Sequence, residues 1–136
     1  MAGPSKHQAV ALRVGADLSV FYICDILAYQ DTLYVHNNRQ FFAQCTISDT
    51  VNFIFDNATA VFQDCDIHTQ RPDFGQKNMV TAQRRTYPNQ NIGIVIQKCR
   101  IIATSDLRPV QKKIPHISWV AMEGVFKDCY NAIFQY

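Results

Sequence analysis

Four polar side chains recur along this 136-residue chain at nearly one interval. Gln8, Gln30 and Asn52 are spaced 22 residues apart, and Asp31 directly follows Gln30. A carboxylate can exchange a proton, and an amide can donate N–H groups to an oxygen that gains charge. Gathered on one face, such groups make a candidate site for a polar substrate. Taken singly, each has a plainer use. Asp31 serves as a turn or capping carboxylate, Gln8 and Gln30 as a polar ladder, Asn52 as a stacked filler. The choice depends on the elements that carry them.

Those elements repeat. Val20-Phe21-Tyr22-Ile23-Cys24-Asp25-Ile26 is followed by Gln40-Phe41-Phe42-Ala43-Gln44-Cys45-Thr46-Ile47. Val61-Phe62-Gln63-Asp64-Cys65-Asp66-Ile67 and Val95-Ile96-Gln97-Lys98-Cys99-Arg100-Ile101 come next. Each is a short aromatic or β-branched run with a Cys two residues before an Ile. The cysteines lie 21, 20 and 34 residues apart. A period near twenty with one β-rich run per period is a solenoid signature. Polar breaks such as Asn37-Asn38, Asp56-Asn57 and Arg71-Pro72-Asp73 suit the turns. The architecture this predicts is all-β, a right-handed parallel β-helix whose coils stack at roughly 4.8 Å. The competing reading is an antiparallel sandwich of short strands. Asp31 lies seven residues after Cys24 and Asn52 seven after Cys45, which puts them on the same face of neighbouring coils. The longer gap between Cys65 and Cys99 predicts an outward polar loop from Arg71 to Asn91.

Composition narrows the partners. The chain is one domain at most, 48% hydrophobic and 18% charged, and reads as globular. A net charge of +2, with Lys112-Lys113 as the densest basic pair, gives no nucleic-acid footprint. No apolar run approaches membrane length. Met1-Ala2-Gly3-Pro4-Ser5-Lys6-His7 has no apolar signal core, so the chain as given reads as intracellular. Five cysteines are an odd number and fit a fragment of a secreted ancestor. In register along a solenoid they are small core residues. With no CxxC and no clustered His, no metal site and no cofactor are expected. His36 and His68 receive no role.

Three segments now carry a resemblance: Gln8-Ala9-Val10-Ala11-Leu12, Gln30-Asp31-Thr32-Leu33-Tyr34-Val35-His36 and Thr50-Val51-Asn52-Phe53-Ile54-Phe55. Together they resemble the plant pectin methylesterases, almost without a gap from about Gly3 to Val110. The resemblance implies a partial pectinesterase β-helix domain over residues 1–114, incomplete as a fold. It implies hydrolysis of the methyl esters of homogalacturonan in pectin, with release of methanol. It also assigns roles. The place held by Asn52 is that of the nucleophile, an Asp in the family's Thr-Val-Asp-Phe-Ile-Phe-Gly motif. Gln8 and Gln30 would donate to the developing oxyanion, and Asp31 would act as acid and then base. Phe55 would offer an aromatic wall to a sugar ring. The family spacing suggests that Cys65 and Cys99 could bridge in an oxidising compartment, while Cys24 would need a partner further upstream. The partner implied is pectin, and the location is secreted, in the cell wall. There the sequon Asn57-Ala58-Thr59 would matter.

The departures from the family set the expectation of activity. An amide is a poor nucleophile, and losing the nucleophile of an acyl-transfer site costs about 10⁶-fold. Asp49, Asp56, Arg84 and Ile102 stand where the family has Gly, which predicts strained turns if those places need positive φ. After about Ile114 the resemblance stops, before the family's Thr-Tyr-Leu-Gly-Arg-Pro-Trp and its substrate-binding Arg and Trp. Back-translated and read one nucleotide on, Trp119-Val120 forces Gly and Met122-Glu123 forces Trp. The other codons permit Leu-Gly-x-Pro-Trp-Lys-Glu-Tyr-Ser. Residues 115–136 therefore read as a frameshifted tail. The expected function is a pectinesterase-family protein, truncated and inactive. The alternative is a non-catalytic pectin-binding or regulatory pseudoenzyme. A working esterase that tolerates Asn52 is the third reading. Either a monomer or an aggregation-prone fragment is expected.

Overall fold

The computed structural model describes residue 5, residues 7–84 and 87–110, and the backbone of strands 118–122 and 133–135; side chains from 84 to 86 and beyond 110 are not described. Among the described residues every regular element is a strand. Three strands make a coil. The first coil is β1 (Leu12–Val14), β2 (Ser19–Tyr22) and β3 (Asp25–Leu27). The second is β4 (Leu33–Val35), β5 (Arg39–Ala43) and β6 (Thr46–Asp49). The third is β7 (Val51–Phe55), β8 (Thr59–Gln63) and β9 (Asp66–Thr69). The fourth is β10 (Met79–Arg84), β11 (Gly93–Gln97) and β12 (Arg100–Ala103). Beyond it, β13 (Ser118–Met122) pairs with β10 and β14 (Ile133–Gln135) pairs with β12.

Corresponding strands stack into three parallel sheets, ordered β1-β4-β7-β10-β13, β2-β5-β8-β11 and β3-β6-β9-β12-β14. This is a right-handed parallel β-helix, and it excludes the sandwich. Like residues stack because the coils repeat. Phe21, Phe42 and Phe62 form an inward ladder, with centroids 4.8 and 4.6 Å apart. Ile26, Ile47, Ile67 and Ile101 form another. Cys24, Cys45, Cys65 and Cys99 form a third at the bend between the second and third sheets, where each Cys carbonyl but the last accepts an N–H from the next coil. That bend is sharp. The residues just before the cysteines, Ile23, Gln44, Asp64 and Lys98, have φ of 53°, 52°, 53° and 52°.

Two expectations are overturned. Of the positions that replace family glycines, Asp56 alone has a positive φ, at 85°. Asp49 and Ile102 lie in β6 and β12, in extended backbone that any side chain tolerates, and Arg84 ends β10. The single loop from Arg71 to Asn91 is also wrong, because β10 crosses it. Val80 and Thr81 point into the core, and the buried Asn78 ties the preceding segment down by donating to Thr50 O at 2.9 Å and Gln70 O at 2.8 Å. The expected out-of-frame tail, with Cys129, lies outside the described residues apart from the backbone of β13 and β14.

Candidate active site

Strand pairing changes register where the candidate residues lie. Val51 and Ile54 of β7 pair with Met79 and Thr81 of β10, so β7 carries one extra residue between them. Against the coil below there is no mismatch: Gln30 pairs with Val51 and Leu33 with Ile54. Both coils therefore share the same bulge. Asn52 occupies it in β7 with φ 58°, and Asp31 occupies it one coil earlier with φ 60°. The two residues after each are both buried, Thr32 and Leu33 in one coil, Phe53 and Ile54 in the other. Strict alternation is broken, and Asp31 and Asn52 are left half-buried on the outer face. Asp and Asn tolerate the left-handed region better than most residues with a side chain.

The pair is bonded. Asn52 Nδ2 donates to Asp31 Oδ1 at 3.0 Å, and Asp31 N donates to Val51 O at 3.0 Å. Burial pushes the Asp31 carboxyl above its ordinary value, and the Asn52 bond, which favours the anion, offsets part of that rise. Gln30 lies beside them, its Nε2 3.5 Å from Gln76 Oε1. Gln76 also accepts from Asp73 N at 3.2 Å, so the segment before β10 lies beside the outer face that carries Asp31 and Asn52, here called the groove. Ala9 N donates to Gln30 O at 3.0 Å, which sets Gln8 one coil below Gln30 with an exposed side chain.

Further along the same sheet, Phe55 stacks on Tyr34 with centroids 4.7 Å apart and planes at 22°. The Arg13 guanidinium lies 5.2 Å from the Tyr34 centroid. His36 meets the Tyr34 edge, and its Nδ1 lies 2.9 Å from Asp56 Oδ2. Sequence reasoning named Phe55 and missed Tyr34 and Arg13. The signal was present: Arg13, Tyr34 and Phe55 are 21 residues apart, the period already seen in the cysteines.

Cys65 and Cys99 lie away from the groove, in the buried ladder. They are free thiols here, like Cys24 and Cys45, and Cys65 N donates to Cys99 Sγ at 3.3 Å. The Cys99 sulfur, then burial, push the Cys65 thiol up. Burial does the same to Cys45.

The outer face of this sheet thus offers a half-buried carboxylate, an amide bonded to it, Gln30 beside them and, further along, a stacked pair of aromatic rings. The profile of the Pectinesterase family matches residues 1–118, and the chain belongs to that family. It is similar to the pectinesterase/pectinesterase inhibitor U1 of Solanum lycopersicum, 77% identical over 114 residues, which are 84% of this chain and 20% of that protein. Among solved structures it is similar to the pectin methylesterase from carrot, at 73% identity and a TM-score of 0.80, covering 83% of this chain and 35% of that one. It is also similar to a pectin methylesterase in complex with a hexasaccharide, at 40% identity and a TM-score of 0.66, covering 75% of this chain and 31% of that one. The chain therefore spans between a fifth and about a third of these relatives.

Proposed function

We propose that this chain is a pectinesterase-family protein whose groove has lost its attacking group, so that it does not hydrolyse the methyl esters of homogalacturonan at an esterase's rate. The observation that carries this is the Asn52 amide, 3.0 Å from Asp31, at the position to which the resemblance assigns the nucleophile. In ester hydrolysis at this groove, a carboxylate at position 52 would add to the ester carbonyl carbon. Amide N–H groups of Gln8 and Gln30 would meet the charge moving to the carbonyl oxygen. The C–O bond to methanol would then break, with Asp31 supplying the leaving proton. Asp31 would next take a proton from the water that opens the acyl intermediate. The Asn52 nitrogen cannot begin this sequence, because its lone pair is delocalised into the amide.

A second reading is a non-catalytic pectin binder. The Tyr34–Phe55 stack favours it, since an aromatic face takes a sugar ring without chemistry. For either reading the polymer places the site of action in the cell wall. The test measures methanol release from methyl-esterified pectin and, separately, binding of methyl-esterified oligogalacturonides. No methanol above the blank is expected. Turnover by the unaltered chain comparable with that of a family esterase would overturn the proposal, and binding without turnover would favour the second reading.

A further inference from the structure

Directly beneath the groove lies a carboxylate that the ester chemistry does not use. Asp49, the last residue of β6, is 0% exposed. Its Oδ2 accepts from Thr32 N at 2.8 Å, and its Oδ1 accepts from Thr50 N at 2.5 Å and Val51 N at 3.2 Å. Thr32 directly follows Asp31, and Val51 directly precedes Asn52. One side chain therefore bonds both coils at the places where they bulge toward the groove. Nothing in the sequence marked it for this; a Gly at the same place could bond neither coil.

We propose that Asp49 is a positioning residue: its carboxylate joins the amides of Thr32 and Val51 from inside the core and so sets how Asp31 and Asn52 meet. No cation shares the burial among the described residues. Level with Asp49 stands Thr69 of β9, while Ala28 follows β3 on the other side. The ionisable groups of those strands, Asp25, Asp66 and His68, alternate outward, and Asp31 turns to the groove. Burial therefore favours the Asp49 acid form, while the Thr32 hydroxyl and the three N–H donors favour the anion. Burial is the larger effect, and the carboxyl is pushed up to about 6. Protonation removes an acceptor and adds an O–H donor among three N–H groups, so the two bulges shift as the group titrates.

The role rests on the groove being the site proposed above, but its test reads hydrogen bonding rather than ester chemistry. The measurement follows the side-chain carboxyl carbons of Asp49 and Asp31, and the Asn52 side-chain amide, by NMR as a function of pH. The Asn52 amide is expected to show two inflections, one at the midpoint of the Asp31 carbon and one at that of the Asp49 carbon. Asp31→Asn should abolish the first alone. Asp49→Asn should abolish the second alone, and Asp49→Gly, which adds no donor, should do the same. A wild-type Asn52 curve with no inflection at the Asp49 midpoint would overturn the proposal without any variant needing to fold. So would an Asp49 carbon that does not titrate in the folded protein, or an Asn52 curve unchanged by Asp49→Asn or Asp49→Gly. None of these outcomes bears on methanol release or oligogalacturonide binding.

Discussion

At position 52 an amide donates to Asp31, where a carboxylate would repel it. Asn52→Asp restores that like charge, so the two carboxyls should titrate as a coupled pair with one value raised further. Methanol release should nevertheless stay low, because placement of the substrate supplies a large share of such rate enhancements. On the reading of residues 115–136 as an out-of-frame tail, the substrate-binding Arg and Trp that the resemblance implies are missing as well. Substantial turnover by the single variant would show that the amide was the only defect. Asp49 makes a separate prediction about stability. Its unfolded value is the ordinary 3.8 and its folded value about 6. Between those values the folded state holds the extra proton, so stability falls as pH rises through the window and is level above it. The span of roughly two units corresponds to about 3 kcal/mol. Asp31, raised as well, acts in the same direction. Asp49→Gly should remove most of the slope in the thermal midpoint across that window, whereas a wild-type midpoint that rises through it would contradict the assignment.

At the scale of the coil, repetition was legible and curvature was not. The spacing of Cys24, Cys45 and Cys65 fixed which residues stack, because equal coils put equal positions in one column. The left-handed corners at Ile23, Gln44 and Lys98 left no such trace, since none of these residues favours positive φ on its own. The stacked coils impose the conformation, and burial of the neighbouring side chains offsets its cost. Asp49 was misread for the same reason. Counted as a turn position, it is a strand end whose side chain turns inward, which single-residue preferences do not reveal. Two predictions follow from the columns. Phe42, stacked between Phe21 and Phe62 and fully buried, should cost about 3–5 kcal/mol on Phe42→Ala. A loss below about 1 kcal/mol in denaturant unfolding would show that the ladder collapses to fill the gap. Cys65 and Cys99 stand in register on adjacent coils, where the interstrand spacing of roughly 4.8 Å lies within the usual Cα range for a disulfide. Mild oxidation should bridge them, seen as the loss of two titratable thiols. The bridge would close a loop of about 34 residues and stabilise the chain by about 4 kcal/mol in the chain-entropy account.

Across the whole molecule, each coil buries its core against neighbours, so the end of the stack governs its behaviour. Among the described residues, β1, β2 and β3 are each the edge of their sheet and leave a row of backbone groups without a strand partner. The surface there is apolar as well. Leu18, Val20, Ile23 and Tyr22 are 67%, 67%, 65% and 60% exposed, against 0% for Phe42 and Phe62, one and two strands in. Unpaired parallel edges with apolar flanks recruit other chains, and natural solenoids protect them with polar caps. Charge offers little defence, since a net +2 over 136 residues gives weak mutual repulsion. The isolated chain should therefore self-associate with rising concentration and be of marginal stability, and a cooperative, reversible transition of the monomer above roughly 60 °C, near the upper mesophile range, would contradict this. Charged replacements on the end coil separate this cause from general instability. Val20→Lys with Tyr22→Glu lies on the outer face of β2, away from the Phe21 ladder and from the groove. The double variant should shift light scattering toward the monomer while leaving the far-UV spectrum unchanged. Undiminished association of that variant would place the sticky surface elsewhere on the stack.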